Sequence, residues 1–189
     1  MKGSTSGQFA AGLIFNNRKV SEMLHIYCGD GKGKTTASVG LAIRMTGAGM
    51  SVAFVQFMKG GETAELETLK AIPSIEIMRC DRNYGFYSTL SDIDKAEITL
   101  CHNDLLDKAF SGKYDAVILD ELNCAYKYGL LDREKAKNLI IGSKDIVEVV
   151  ITGRDPDNTF INAADYISEI KCVRHPYQKG IPARKGIEY

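Results

Sequence analysis

One stretch narrows the possible folds of this chain more than any other: Gly29-Asp30-Gly31-Lys32-Gly33-Lys34-Thr35-Thr36. It follows the apolar run Leu24–Cys28 and leads into a segment rich in Ala, Val, Leu and Ile, so a strand, a glycine-rich turn and a helix succeed one another. A turn of this kind ending in Gly-Lys-Thr offers successive backbone N–H groups, and the positive end of the helix, to an anion. Residues Gly29, Asp30, Gly31, Lys32, Gly33, Lys34, Thr35 and Thr36 are therefore expected to bind the phosphates of ATP. Lys34 supplies a point charge, Thr35 a hydroxyl for Mg2+ (or Mn2+), and the three glycines are expected to keep side chains out of the way of the phosphates. The common G-x-x-x-x-G-K-[ST] spacing would need glycine at position 28, which is Cys28 here. A cradle that begins at Gly29 is one residue shorter, and it need not hold a triphosphate in the register used by hydrolytic phosphate loops.

A loop of this type belongs to an α/β sheet, and the remaining sequence agrees. Leu24–Cys28, Ser51–Phe57, Ser74–Met78, Tyr114–Leu119, Ile146–Thr152 and Tyr166–Val173 read as strands, several of them continuous apolar runs suited to burial on both faces. Helices are expected over Thr35–Thr46, from Ser91 and Asp94 to about Phe110, from Asp132 to Ile141, and after Asp155-Pro156. The 189 residues suffice for one domain. The expected fold is thus a single P-loop NTPase-like (RecA-like) α/β domain over 23–189, with a mostly parallel sheet and helices on both faces, preceded by an arm over 1–22. Lys plus Arg and Asp plus Glu are both 24, so no global field attracts nucleic acid. No apolar run reaches the roughly 20 residues of a membrane span, and five scattered cysteines, odd in number and without a C-x-x-C pair, argue against a disulfide framework or a zinc knuckle and for buried thiols in a reducing cytoplasm.

The second half of a nucleotide site is expected at the end of a neighbouring strand. Ala116-Val117-Ile118-Leu119-Asp120-Glu121 provides it, with Asp120 and Glu121 placed to hold Mg2+ directly or through water. Two segments outside the βα alternation become candidates for ligand contact: the aromatic loop Cys80–Leu90 and the tail from Arg174. These features alone also fit a phosphate-loop ATPase, a small-molecule kinase, or a carrier that binds without turnover.

Seven segments in order, Gly29–Thr36, Val55–Gly60, Gly85-Phe86, Val117–Asn123, Ile151–Arg154, Ala164-Asp165 and Gly180–Tyr189, resemble the P-loop ATP:corrinoid (cob(I)alamin) adenosyltransferases. The resemblance implies transfer of the 5′-deoxyadenosyl group of ATP to the Co(I) centre of a reduced corrinoid, releasing triphosphate, in adenosylcobalamin biosynthesis or salvage. The acceptor would be cobalamin, cobinamide or cobyrinic acid a,c-diamide. It further implies a homodimer served by an electron-donating reductase, catalytic roles for Lys34, Thr35, Glu121 and Phe86, a phosphate-side role for Arg154, and corrinoid contact by Phe86 and Tyr87. Where members of that family often carry Trp, this chain has Ser88, and Tyr84 or Tyr87 would have to substitute.

Overall fold

The computed structural model describes residues 22–61, 63–85 and 87–188. The expected arm, apart from Glu22, and Phe86 lie outside the described residues.

Six strands form one parallel sheet: β1 (Leu24–Cys28), β2 (Val52–Gln56), β3 (Ile75–Arg79), β4 (Ala116–Asp120), β5 (Glu148–Thr152) and β6 (Tyr166–Glu169). Their order in the sheet is β3-β2-β4-β5-β1-β6. The strand feeding the phosphate loop and the strand ending in Asp120 are therefore separated by β5. Because every strand runs the same way, all C-terminal ends open on one edge, where ligands of such sheets bind.

The alternation of strand residues explains the layers. Val52, Phe54, Ala116, Ile118 and Val150 point to one face, where they pack with Ala42 and Met45 of α1 (Lys34–Gly47) and Leu69 of α2 (Ala64–Lys70). Ala53, Val55, Val117, Leu119, Val149 and Ile151 point to the other face. There they meet Leu105 and Leu106 of α3 (Asp92–Ala109), Ala125 of α4 (Leu122–Lys127), Ile140 of α5 (Arg133–Ser143) and Phe160 of α6 (Asn158–Ala163). Strands buried on both sides need the continuous apolar runs seen in the sequence.

Local signals set most helix starts. Ser91 accepts from the Asp94 N–H while Asp94 accepts from Ser91, a complete capping box, and Asp132 caps α5 through the Lys135 N–H. The expected start at Asp155-Pro156 is displaced: Asp155 takes a left-handed φ of 46°, and Asp157 caps α6 by accepting from the Thr159 N–H at 2.8 Å. The strand expected to run to Val173 ends at Glu169.

The expectation of unpaired cysteines also needs correction. Cys80, just after β3, is disulfide-bonded to Cys101 on α3. Their separation of 21 residues carries no pattern, because it is the packing of α3 under the sheet that brings them together. Cys28, Cys124 and Cys172 are free.

Candidate active site at the strand ends

The site begins where β1 ends. Gly33 precedes α1 with φ 122°, open to glycine and not to other residues, and no side chain caps the helix or places an acid in its first turn. The N–H groups of this 14-residue helix thus meet solvent with their partial positive charge uncompensated. Lys34 is almost fully buried and donates to the carbonyls of Gly29 at 2.8 Å and Gly31 at 2.9 Å, so the loop is curled around its own lysine.

Gly29 and Gly31 have a different reason to be glycine from the one the sequence suggested. A Cβ at Gly29 would lie 2.4 Å from the Ile170 carbonyl oxygen, and one at Gly31 2.7 Å from it. The chain after β6 runs against the loop, with the Ile170 N–H donating to Cys28 O and the Gly31 N–H to Ile170 O, both at 2.8 Å. Asp30 also serves this contact, its carboxylate accepting from the Cys172 N–H at 3.1 Å. Only the Gly33 end of the loop faces open space.

Asp120 at the end of β4 is wholly buried, and three side chains converge on it. Thr35 Oγ1 donates to Asp120 Oδ1 at 2.9 Å, Thr152 Oγ1 donates to the same oxygen at 2.8 Å, and Lys59 Nζ donates to Oδ2 at 2.6 Å. Lys59 also donates to Thr35 Oγ1 at 3.0 Å. Thr152 comes from β5, the strand between β1 and β4, and its oxygen accepts the Glu121 N–H at 3.0 Å. Glu121 has a left-handed φ of 61°, a conformation that ends β4 abruptly and brings its carboxylate to the cleft wall. There it accepts from the Cys124 thiol at 3.1 Å. Burial, then the charge of Glu121, pushes that thiol up to about 11.

Beside these groups opens a cleft of about 650 Å³ lined by Lys32, Lys34, Thr35, Thr36, Lys59, Glu121 and Arg154 and by His175, Tyr177 and Glu188 of the tail. Arg154 is exposed at its rim, while the neighbouring Asp155 is engaged by Lys127 at 2.7 Å. The structure thus brings together Lys34, Thr35, Asp120, Glu121 and Arg154. Thr152 and Lys59 join them: Lys59, at a strand end in the Val55–Gly60 segment, can be read from the sequence as facing either the site or solvent, and it faces the site, while Thr152 is unmarked because a threonine at the end of an apolar strand looks ordinary.

The Cys80–Leu90 loop stands beside this site. Gly60 packs against it so closely that a Cβ would lie 2.3 Å from Asn83 Cα. Tyr87 stacks on Tyr128 at 4.1 Å, with the rings 10° apart, at the end of α4. Arg82 lies over the Tyr84 ring at 4.8 Å. His175 caps the short turn Pro176–Lys179 by accepting the Tyr177 N–H.

The profile of the family described as ATP:corrinoid adenosyltransferase BtuR/CobO/CobP matches residues 21–189. A corrinoid adenosyltransferase of Pseudomonas aeruginosa is 34% identical over 172 residues, covering 88% of this chain and 83% of that protein. A corrinoid adenosyltransferase of Salmonella typhimurium is 29% identical over 164 residues, covering 87% and 84%. Among solved structures, the flagellar accessory protein FlaH from Methanocaldococcus jannaschii has a TM-score of 0.51 over 78% of this chain and 70% of its own, at 13% identity. That likeness bears on the fold alone.

Proposed function

Since this chain belongs to the ATP:corrinoid adenosyltransferase BtuR/CobO/CobP family, enzymes that adenosylate a corrinoid with ATP, we propose that the cleft above Lys34 is where C5′ of ATP meets the cobalt of the reduced corrinoid. The observation that carries this is the convergence of Lys34, Thr35 and Asp120 at the uncompensated N-terminus of α1. In the reaction, Co(I) of the corrinoid substrate attacks C5′, the C5′–O bond breaks, and its electron pair leaves with the triphosphate.

Co(I) is already a strong nucleophile, so the chain has to supply neither a general base nor a covalent nucleophile. The thiol of Cys124, held protonated to about 11, is consistent with that division of labour. What the chain supplies is orientation and stabilisation of the departing negative charge. Lys34, the N–H groups from Gly33 to Thr36, and Arg154 at the rim do this. Thr35 and Asp120 fit a small divalent cation, because they are hard oxygen donors 2.9 Å apart and one carboxylate oxygen already holds a cation. Glu121 adds a second carboxylate at the cleft wall. Bound there, Mg2+ or Mn2+ would supply further positive charge for the triphosphate.

The Cys80–Leu90 loop is the proposed corrinoid contact, through Phe86 and Tyr87. The stacking of Tyr87 on Tyr128 supports this, as it gives the loop a flat aromatic surface beside the cleft in a chain without Trp. The reading includes a reductase that delivers the electron needed for Co(I), and, on family membership, a homodimer in the cytoplasm. Among the described residues no helix is long and apolar enough to cross a membrane.

The test is anaerobic incubation of the protein with ATP, Mg2+, a strong reductant and cobalamin. A light-sensitive Co–C bond together with triphosphate is the expected outcome. ADP and phosphate as the only products would mean an ATPase or kinase, and binding of both substrates without turnover would mean a carrier.

A further inference from the structure

Lys59 follows β2 by three residues, past Met58, whose left-handed φ of 58° turns the chain towards the site. Its ammonium lies between the two groups best suited to a divalent cation, 2.6 Å from Asp120 Oδ2 and 3.0 Å from Thr35 Oγ1. Asp120 has no exposure, whereas the Lys59 side chain is 24% exposed on the cleft side. A carboxylate removed from water needs a counter-cation. The Lys59 ammonium provides it, and the same two oxygens cannot also accept a second cation while it stays.

We infer that Lys59 is a built-in stand-in for the divalent cation: it holds Thr35 and Asp120 in place, opposes binding of metal alone, and turns to the polyphosphate when metal and nucleotide arrive together. This rests on the proposed nucleotide site. The surroundings restrict the motion to the side chain. Arg79 Nη2 donates to Lys59 O at 3.1 Å and to Gly61 O at 2.8 Å, and Gly60 is pressed against Asn83, so the backbone from Lys59 to Gly61 is pinned. The flexible four-carbon stem can still move its charge from Asp120 into the cleft, whose wall it shares with Lys32 and Arg154. Lys59 is thus a positioning residue that couples metal binding to nucleotide binding.

The test is a Mn2+ titration of the full chain, followed by the paramagnetic signal of the free ion, with and without ATP, for the wild type, Lys59→Met and Lys59→Arg. Removing the charge should tighten Mn2+ binding in the absence of nucleotide by about tenfold or more. The same variant should bind ATP more weakly in the presence of a chelator. The arginine variant keeps a cation beside Asp120 and should retain the wild-type preference for joint binding. Should the methionine variant not fold, Lys59→Gln carries the same expectation. Unchanged or weaker binding of Mn2+ alone in the uncharged variant overturns the inference. If the wild type makes adenosylated corrinoid and triphosphate while Mn2+ binding is insensitive to Lys59, only this inference fails. If no adenosylated product forms, the proposed activity fails, and the Mn2+ comparison still decides the part played by Lys59.

Discussion

Thr152 and Asp120 are joined at 2.8 Å across neighbouring parallel strands, and the same threonine oxygen accepts the N–H of Glu121 at 3.0 Å. A single buried hydroxyl therefore fixes both the direction of the Asp120 carboxylate and the left-handed turn that presents Glu121. Thr152→Val keeps the shape and removes this link. We expect it to cost about 1–3 kcal/mol of stability, since it strands the Glu121 N–H, and to lower kcat by roughly tenfold to a hundredfold through misplacement of the acids. Urea unfolding and steady-state kinetics check the two effects, and an active, fully stable variant would remove Thr152 from the site.

Lys34→Ala should leave the fold intact, because its two partners are carbonyls of its own loop and not of the sheet or the core. Turnover should fall on the order of a hundredfold to a thousandfold, the scale seen when one donor to a developing anion is deleted. Single-turnover measurements with pre-reduced corrinoid separate this loss from any effect on cobalt reduction.

The Cys80–Cys101 bond ties the base of the aromatic loop to α3. Closing a loop of this size restricts the unfolded chain by roughly 3 kcal/mol. Reduction should lower the melting temperature of the wild type and have no effect on a Cys80→Ser, Cys101→Ser double variant. A melting temperature indifferent to reductant in both proteins would show that the bond contributes nothing to stability.

His102 gives the stability a pH dependence. Buried between α3 and the sheet, edge-on to Phe57 and donating from Nδ1 to Leu130 O at 2.8 Å, its imidazole is held down to about 4 by desolvation. The unfolded chain takes up a proton below its ordinary value of 6.5, and the folded chain does not. Stability is therefore full above that value and falls as the pH drops towards 4, by about 3 kcal/mol across the window. The depressed carboxylates Asp94, Asp115, Asp157 and Asp165 lose their contribution only at lower pH, as it falls below their ordinary 3.8. Urea midpoints between pH 7 and 4.5 should slope downward in the wild type and flatten in His102→Gln.

Much of this arrangement could be read from the chain because its signals are local. The run Leu24–Cys28 with the glycine turn after it, the cap pairs at Ser91 and Asp132, and the apolar run into Asp120 each carry their own physics. The missed elements lack such signals. Ala64–Lys70 and Leu122–Lys127 are short, neither has a side-chain cap, and Glu121 starts the latter from a left-handed conformation that no propensity suggests for glutamate. Cys80 with Cys101, and Lys59 with Asp120, are contacts made by packing between distant elements, and nothing in the spacing of either pair announces it.

The contact between the phosphate loop and the chain after β6 bears on how far that loop can be treated as a portable part. The Gly31 amide donates to the carbonyl of Ile170, just past β6, and Asp30 accepts from a residue 142 positions away. Half of the loop is thus a splint for the C-terminal segment, and only the half from Gly33 onward is left for the proposed contact with triphosphate. Grafting Gly29–Thr36 into another parallel sheet would transplant the letters without the brace that shapes them. The smallest unit that can be moved is the loop together with Glu169–Cys172.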